Sequence, residues 1–299
     1  ILPSLDKFTS GHWIGDLITD SDTGEVKWKL NTDLYPNRDY PVKDNKKEGA
    51  IEIFEMPVKD STDKVPNGLY IAGLDPVDDD ESQTNSMFSV FIMNLLTDRI
   101  VAEYTGRTFD AAENYEKARK LLIFYNAKCL YENDKKGFYA HLMYKNSLHL
   151  LSPNPEIAKD LDITATTYIN GNKSYGVNSS KKLNAWGRRL QVQWMMSPAY
   201  KVNADEPDVL NLHKIRSIGY LKECAAWNPD ANTDRVSAMG MLMILRADRE
   251  RFELNLEKPK NNFSQNSFWE RAFKQKANNF GYKSEDFFAQ KDTIDLHNW

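Results

Sequence analysis

Three carboxylates fall where a chain of strands and helices leaves its loops. Asp75 follows the apolar run Leu69–Leu74 (LYIAGL), Glu132 follows Ala127–Tyr131 (AKCLY), and Asp234 opens a helical stretch after Thr233. In an open sheet, ligands gather beyond the carboxyl ends of the strands. If the first and fourth strands are parallel neighbours, Asp75 and Glu132 emerge side by side. A helix packed across that edge then brings Asp234 to the same point. Three converging carboxylates raise one another's pKa and do not stay ionised together without a cation. Hard oxygen ligands favour magnesium or manganese over zinc. Two such ions clamp a phosphodiester, one activating the attacking water and the other stabilising the leaving oxygen. The chemistry expected of the trio is metal-dependent phosphodiester hydrolysis without a covalent intermediate. The competing reading of each acid is an ordinary loop residue, because loops begin where strands end.

Other residue types offer less. The five histidines (His12, His141, His149, His213 and His297) include no pairing with cysteine at zinc spacing and no H-E-x-x-H. His213, on the helix before the third acid, is the one placed to assist a metal. Lys135 and Lys136 directly follow the second acid, and Lys181, Lys182, Arg188 and Arg189 form a second basic group. Both groups read equally as a solubilising face or as phosphate contacts, which position DNA without reading its sequence. Asp78, Asp79, Asp80 and Glu81 read as a solvated acidic turn. Trp186, Trp194, Trp227, Met239, Met241 and Met243 sit at helical spacing and read as core.

The elements that must position the acids are legible in the hydrophobic pattern. Leu69–Leu74, Met87–Met93 (MFSVFIM) and Arg99–Tyr104 (RIVAEY) read as an antiparallel meander, because their connections are too short for a crossover helix. Phe109–Tyr125 switches to helical spacing, Ala127–Tyr131 returns to a strand, and Gly137–Tyr144 is a short helix. Asn170-Gly171-Asn172, between Thr164–Ile169 and Lys173–Val177, predicts a hairpin. Ser179 and Ser180 can cap a helix through Ala185, Leu190 and Trp194. A further helix covers Leu212–Trp227. Thr233 can cap the last one, whose apolar side carries Val236, Met239, Leu242 and Met243. The pattern predicts an α/β fold with a mixed sheet flanked by helices. Residues 1–66, rich in proline, read as a loop-rich lead-in in which only Ala50–Phe54 is a strand. Residues 67–252 read as the main domain and 253–299 as a C-terminal extension with an aromatic stretch.

The composition is that of an ordinary globular chain of 299 residues, 41% hydrophobic and 27% charged. No apolar run approaches the roughly 20 residues a membrane-spanning helix needs. A net charge of −4 confines any nucleic-acid contact to a local patch. Cys129 and Cys224, the two cysteines, exclude a disulfide scaffold and read as reduced, buried thiols in a cytoplasmic setting. Ile1–Asp6 carry no basic n-region, so no signal peptide is expected. The chain starts without Met, which suggests a piece of something longer.

Four segments in order resemble the nuclease domain of the large terminase subunit, the DNA-packaging motor of tailed bacteriophages. They are GLYIAGLD at Gly68–Asp75 with Pro76 after it, DRIVAEYTGR at Asp98–Arg107, LIFYNAKCLYEN at Leu122–Asn133 with Gly137 following, and NTDRVSAM at Asn232–Met239. IEIFEMP at Ile51–Pro57 and Pro66-Asn67-Gly68 are similar to the run-in from the ATPase to the nuclease. The resemblance covers roughly residues 50–250. It implies an RNase H-like fold and an endonuclease that cuts concatemeric double-stranded viral DNA. It also implies two divalent cations, Mg2+ or Mn2+, held by Asp75, Glu132 and Asp234 as catalytic and metal-binding residues. The implied partners are double-stranded DNA, an ATPase domain of the same polypeptide, the portal protein and the small terminase subunit, in the host cytoplasm. The hairpin at 165–178 would lie along the DNA groove. The sequence departs from the family in two ways. Many relatives carry another acid after the first, for which Asp78–Glu81 are the candidates. No G-x-x-x-x-G-K-[ST] phosphate loop occurs, so the nuclease part alone is expected, without ATP hydrolysis. Other expectations are another RNase H-like enzyme, such as a junction resolvase or a transposase, and a non-catalytic module that docks a protein on its acidic edge.

Overall fold

The computed structural model describes residues 13–31, 33–43, 47–78, 86–160, 168–169, 172–173, 175–201, 203–228 and 231–256. Seven strands form one mixed sheet: β1 (Trp13–Thr19), β2 (Val26–Leu30), β3 (Ile51–Ile53), β4 (Tyr70–Asp75), β5 (Phe88–Asn94), β6 (Arg99–Gly106) and β7 (Lys128–Tyr131). Their spatial order is β2-β1-β3-β6-β5-β4-β7. β4, β5 and β6 make the expected meander, with Asp75 opposite Ser89 and Phe88 opposite Gly106. β7 lies on the other side of β4 and runs parallel to it, Leu74 opposite Tyr131. A meander followed by a helix and a strand parallel to the meander's first member is the RNase H-like arrangement.

The helices are α1 (Ala111–Phe124), α2 (Gly137–Tyr144), α3 (Glu156–Asp160), α4 (Lys181–Met196), α5 (Ile218–Ala225) and α6 (Asp234–Leu256). A two-strand hairpin pairs β8 (Tyr168–Ile169) with β9 (Asn172–Lys173). Residues 164–167, 170–171 and 174 of the predicted hairpin lie outside the described residues.

Strand parity divides the core into two layers. Tyr70, Ala72 and Leu74 of β4, with Cys129 and Tyr131 of β7, pack among Ala118, Leu121 and Leu122 of α1 and Phe138 and Leu142 of α2. Ile71 of β4 and Leu130 of β7 point the other way, among Met239, Leu242 and Leu245 of α6 and Leu183 and Trp194 of α4. α6 is buried all round from Ala238 to Leu245, because the sheet covers one side and α4 another. Gly73 sets its distance from the sheet: a Cβ there would stand 2.2 Å from the Leu242 backbone nitrogen and 2.3 Å from the Ala238 carbonyl oxygen. Helix backbone therefore rests directly on strand backbone. Gly187 of α4 and Gly240 of α6 make a second close approach, with a Cβ on Gly187 only 3.0 Å from the Gly240 Cα.

Four expectations need correction. The lead-in is not loop-rich over its length, since β1, β2 and β3 contribute three of the seven strands. Val26, Trp28 and Leu30 alternate with Lys27 and Lys29, and the turn between β1 and β2 is tied by Asp20, which accepts from the Asp22 and Thr23 amides. The helix expected over Leu212–Trp227 is two pieces, a 3-10 turn at Asn211–Lys214 and α5. Ser217 breaks it, because its buried hydroxyl accepts from the Tyr220 amide and starts a new helix. Of the two free cysteines Cys129 is buried, but Cys224 is only partly so. Trp227 is likewise more exposed than a core residue, its ring lying under the Arg188 guanidinium at 5.1 Å. The extension at 257–299 lies outside the described residues, and among those described no helix is long and apolar enough to cross a membrane.

Candidate active site

The parity that builds the core also aims the acids. Asp75 follows Ile71 and Gly73 on the α6 face of β4, and Glu132 follows Leu130 on the same face of β7. The Glu132 amide donates to the Leu74 carbonyl at 3.4 Å, so the two acids leave adjacent parallel strands at the same level. Asp234 opens α6 beside them. Its Oδ2 accepts from the Met87 amide at 2.9 Å and from Asn232 Nδ2 at 3.3 Å. Met87 precedes β5 at the end that pairs with Asp75, so this bond pins the start of α6 to the acid edge. One turn along α6, Ser237 acts on the Asp75 carboxyl group, favouring its ionised form against the burial.

The electrostatics agree with this placement. Burial pushes Asp75 well above the ordinary aspartate range, and the charges of Glu132, Asp234 and Glu223 push it further. Glu132 is raised to about 7 by burial and then by Asp134, against a bond from Ser179. Asp234 is raised to about 7 by burial, opposed by its bond from Met87. Carboxyl groups raised in this way, by burial first, are short of a counter-charge.

The donor set fits a hard divalent cation, which favours carboxylate oxygens. Glu132 Oε1 in particular is buried without a hydrogen-bond partner. The acids share an edge without closing on one point: among the described residues no three His, Cys, Asp or Glu side chains are arranged to hold a metal ion.

Asp78 has a different duty. Its carboxylate accepts from the Lys136 and Gly137 amides at 3.1 and 3.3 Å and from the Tyr115 hydroxyl at 2.8 Å. It caps α2 from a distant loop, supplying acceptors for amides that start a helix without partners. The acidic-turn reading fails for Asp78, because a cap across 58 positions leaves no local sequence signal. Asp79, Asp80 and Glu81 lie outside the described residues.

His213 does not join the acids. Its Nδ1 accepts from the Leu210 amide in its own turn, next to Asn211, which bonds Asp98 in the β5–β6 turn at the far end of the sheet.

The basic residues divide. Lys135 and Lys136 are exposed in the turn after Glu132, and Lys136 Nζ bonds the Asn133 carbonyl. Lys181 and Lys182 are exposed on the first turn of α4, just after Ser179, which favours the ionised form of Glu132 and whose amide donates to Asp134 at 3.0 Å. The four lysines thus flank the acid edge. Arg188 and Arg189 lie about two turns further along α4, Arg188 stacked on Trp227.

Sequence reasoning missed Glu223 and Arg235. Both are buried; Glu223 Oε1 accepts from the Val236 amide at 2.9 Å, and Oε2 lies 3.4 Å from Arg235 Nη1. Arg235 was legible only as the residue after an acid, and Glu223 only as a polar residue in an apolar helix.

No family model matches the chain, and no curated protein matches it. Among solved structures, the large terminase nuclease from thermophilic phage G20c is similar over 70% of this chain and 90% of its own, at 10% identity and a TM-score of 0.30. A likeness of that score carries no weight for activity, and the fold assignment stands on strand order and direction.

Proposed function

We propose that this chain is a metal-dependent endonuclease for double-stranded DNA, the nuclease part of a phage large terminase subunit that cuts concatemeric DNA during packaging. The observation that carries the reading is the convergence of Asp75, Glu132 and Asp234, from β4, β7 and α6, on one edge of an RNase H-like sheet. Asp75, Glu132 and Asp234 would hold two Mg2+ or Mn2+ ions. The chemistry supplied by bound divalent cations is neutralisation of charge at the phosphate and a more acidic water. The chain's own residues prepare for it. Ser237 favours the ionised form of Asp75, Met87 and Asn232 orient Asp234, and burial keeps the carboxyl groups avid for a counter-charge. Lys135, Lys136, Lys181 and Lys182 bind the backbone phosphates on either side, with Arg188 and Arg189 extending that track along α4. Such contacts impose little sequence preference.

Plasmid cleavage in manganese or magnesium tests the reading. Parent protein is expected to nick and linearise the plasmid, and Asp75→Ala or Asp234→Ala to reduce the rate by at least about 100-fold. Variants that cut as fast as the parent would remove both residues from the site. Branched and linear substrates side by side separate a junction resolvase, which prefers branches.

One observation favours a second reading, a non-catalytic module that docks a partner on this acidic edge: among the described residues the acids do not close on a shared point. A protein that neither binds manganese in calorimetry nor nicks plasmid would be that module.

A further inference from the structure

Next to the proposed metal ligand Asp234 the chain buries a full arginine. Arg235 is 1% exposed. Its Nε stands 3.6 Å from Glu103 Oε1 on β6, its Nη1 3.4 Å from Glu223 Oε2 on α5, and its Nη2 donates to the Asn37 carbonyl. Glu103 pairs in register with Glu52 of β3, whose carboxylate Arg38 binds at 2.6 Å. The space was made for this guanidinium: a Cβ on Gly219 would stand 2.7 Å from its Cζ. Leaving one charge of such a network unpaired is strongly destabilising, yet replacing the whole network by apolar side chains is often stabilising. Stability alone is therefore weak grounds for the network.

Its geometry supplies a better one. Arg235 and Val236 are both gripped by Glu223, while the Tyr40 hydroxyl holds the Asn232 carbonyl at 2.7 Å. Asp39, beside Tyr40, binds Lys222 of α5 at 2.8 Å. Residues 232, 235 and 236 are thus anchored around Asp234, whose carboxylate accepts from the Met87 amide. We infer that Arg235 is a positioning residue: seated on Glu103, Glu223 and the Asn37 carbonyl, it fixes the first turn of α6 so that Asp234 faces Asp75 and Glu132. The assignment rests on the nuclease reading for its consequence in cleavage, but not for its consequence in Asp234 geometry.

The test uses the charge-free variant Arg235→Met/Glu103→Gln/Glu223→Gln, which removes the buried charges together and avoids leaving one unpaired. Two readouts are followed, plasmid cleavage in manganese and hydrogen exchange of the Met87 amide, whose only role here is to report the bond to Asp234. A positioning role predicts a melting temperature close to the parent's, a kcat reduced at least about tenfold at unchanged KM, and Met87 exchange at least about tenfold faster. A Met87 amide as protected as in the parent overturns the inference, whether or not cutting falls. If the parent itself does not cut, the nuclease reading fails, and Met87 exchange alone still decides the role of Arg235. Should the triple variant not fold, Glu103→Gln loosens one seat of the Arg235 guanidinium and leaves the other two. Exchange at Met87 is then expected to rise a few-fold, and an unchanged rate overturns the inference.

Discussion

Asp75 is pulled in opposite directions by fold and chemistry. Burial and three neighbouring acids raise the pKa of its carboxyl group, yet it must ionise to bind a cation. A carboxyl group whose folded pKa is raised contributes stability fully present below its unfolded pKa and lost as pH rises through the folded value. Asp75→Asn is therefore expected to raise the melting temperature in EDTA at about pH 8, with the gain vanishing near pH 4. Cleavage is lost in the same variant, and thermal melts beside a nicking assay check both. Asp78→Ala should do the reverse. Loss of its cap costs about 1 kcal/mol of stability and leaves manganese stoichiometry in calorimetry unchanged. The two aspartates stand three positions apart, Asp75 at the end of β4 and Asp78 in the loop after it, and residue type could not separate them. Asp75 was legible because it ends a strand; the duty of Asp78 depends on Tyr115 and Gly137, which only the folded chain brings to it.

Among the elements, the contact of α6 with β4 sets the site. Gly73→Ala forces a methyl group into the Leu242 and Ala238 backbone, so α6 must lift from the strand and carry Asp234 away from Asp75. A loss of about 1–3 kcal/mol in urea unfolding, together with weaker cleavage, is expected. Gly187→Ala, whose nearest neighbour stands at 3.0 Å on another helix, should cost less and leave cleavage near the parent rate. β4 to β7, α1 and α2 were readable because each carries an uninterrupted period, apolar runs for the strands and three- and four-residue steps for α1. β1 and β2 were obscured by the prolines after them, although Val26-Lys27-Trp28-Lys29-Leu30 alternates cleanly. The false single helix over 212–227 arose because Ile215 and Ile218 keep helical spacing across a break that a buried serine makes. The parity that turns Asp75 and Glu132 towards α6 could be counted from the sequence once β4 and β7 are parallel. Parallelism itself came from the order of elements.

At the scale of the whole molecule, buried acids are held above their ordinary values at one edge and in the Arg235 network, with Glu132, Asp234 and Glu103 each raised to about 7 by burial first. By the same sign rule, in EDTA the melting temperature is expected to fall as pH rises from about 4.5 to about 7. Manganese should reverse the fall, most strongly at the upper end, because a bound cation favours the ionised carboxylates; a melting temperature that climbs across this window in EDTA would contradict the account. Charge elsewhere follows a simpler rule. Lys181→Ala/Lys182→Ala should weaken binding equally to unrelated duplexes and flatten the dependence of affinity on salt by roughly one to two ions, as filter binding over a salt series would record. The most direct test is a crystal soaked in manganese. Two anomalous peaks bounded by Asp75, Glu132 and Asp234 are expected, with Glu132 Oε1 among the ligands. A protein that cuts DNA in manganese while its crystal carries the metal elsewhere, with these three side chains untouched, would contradict the assignment.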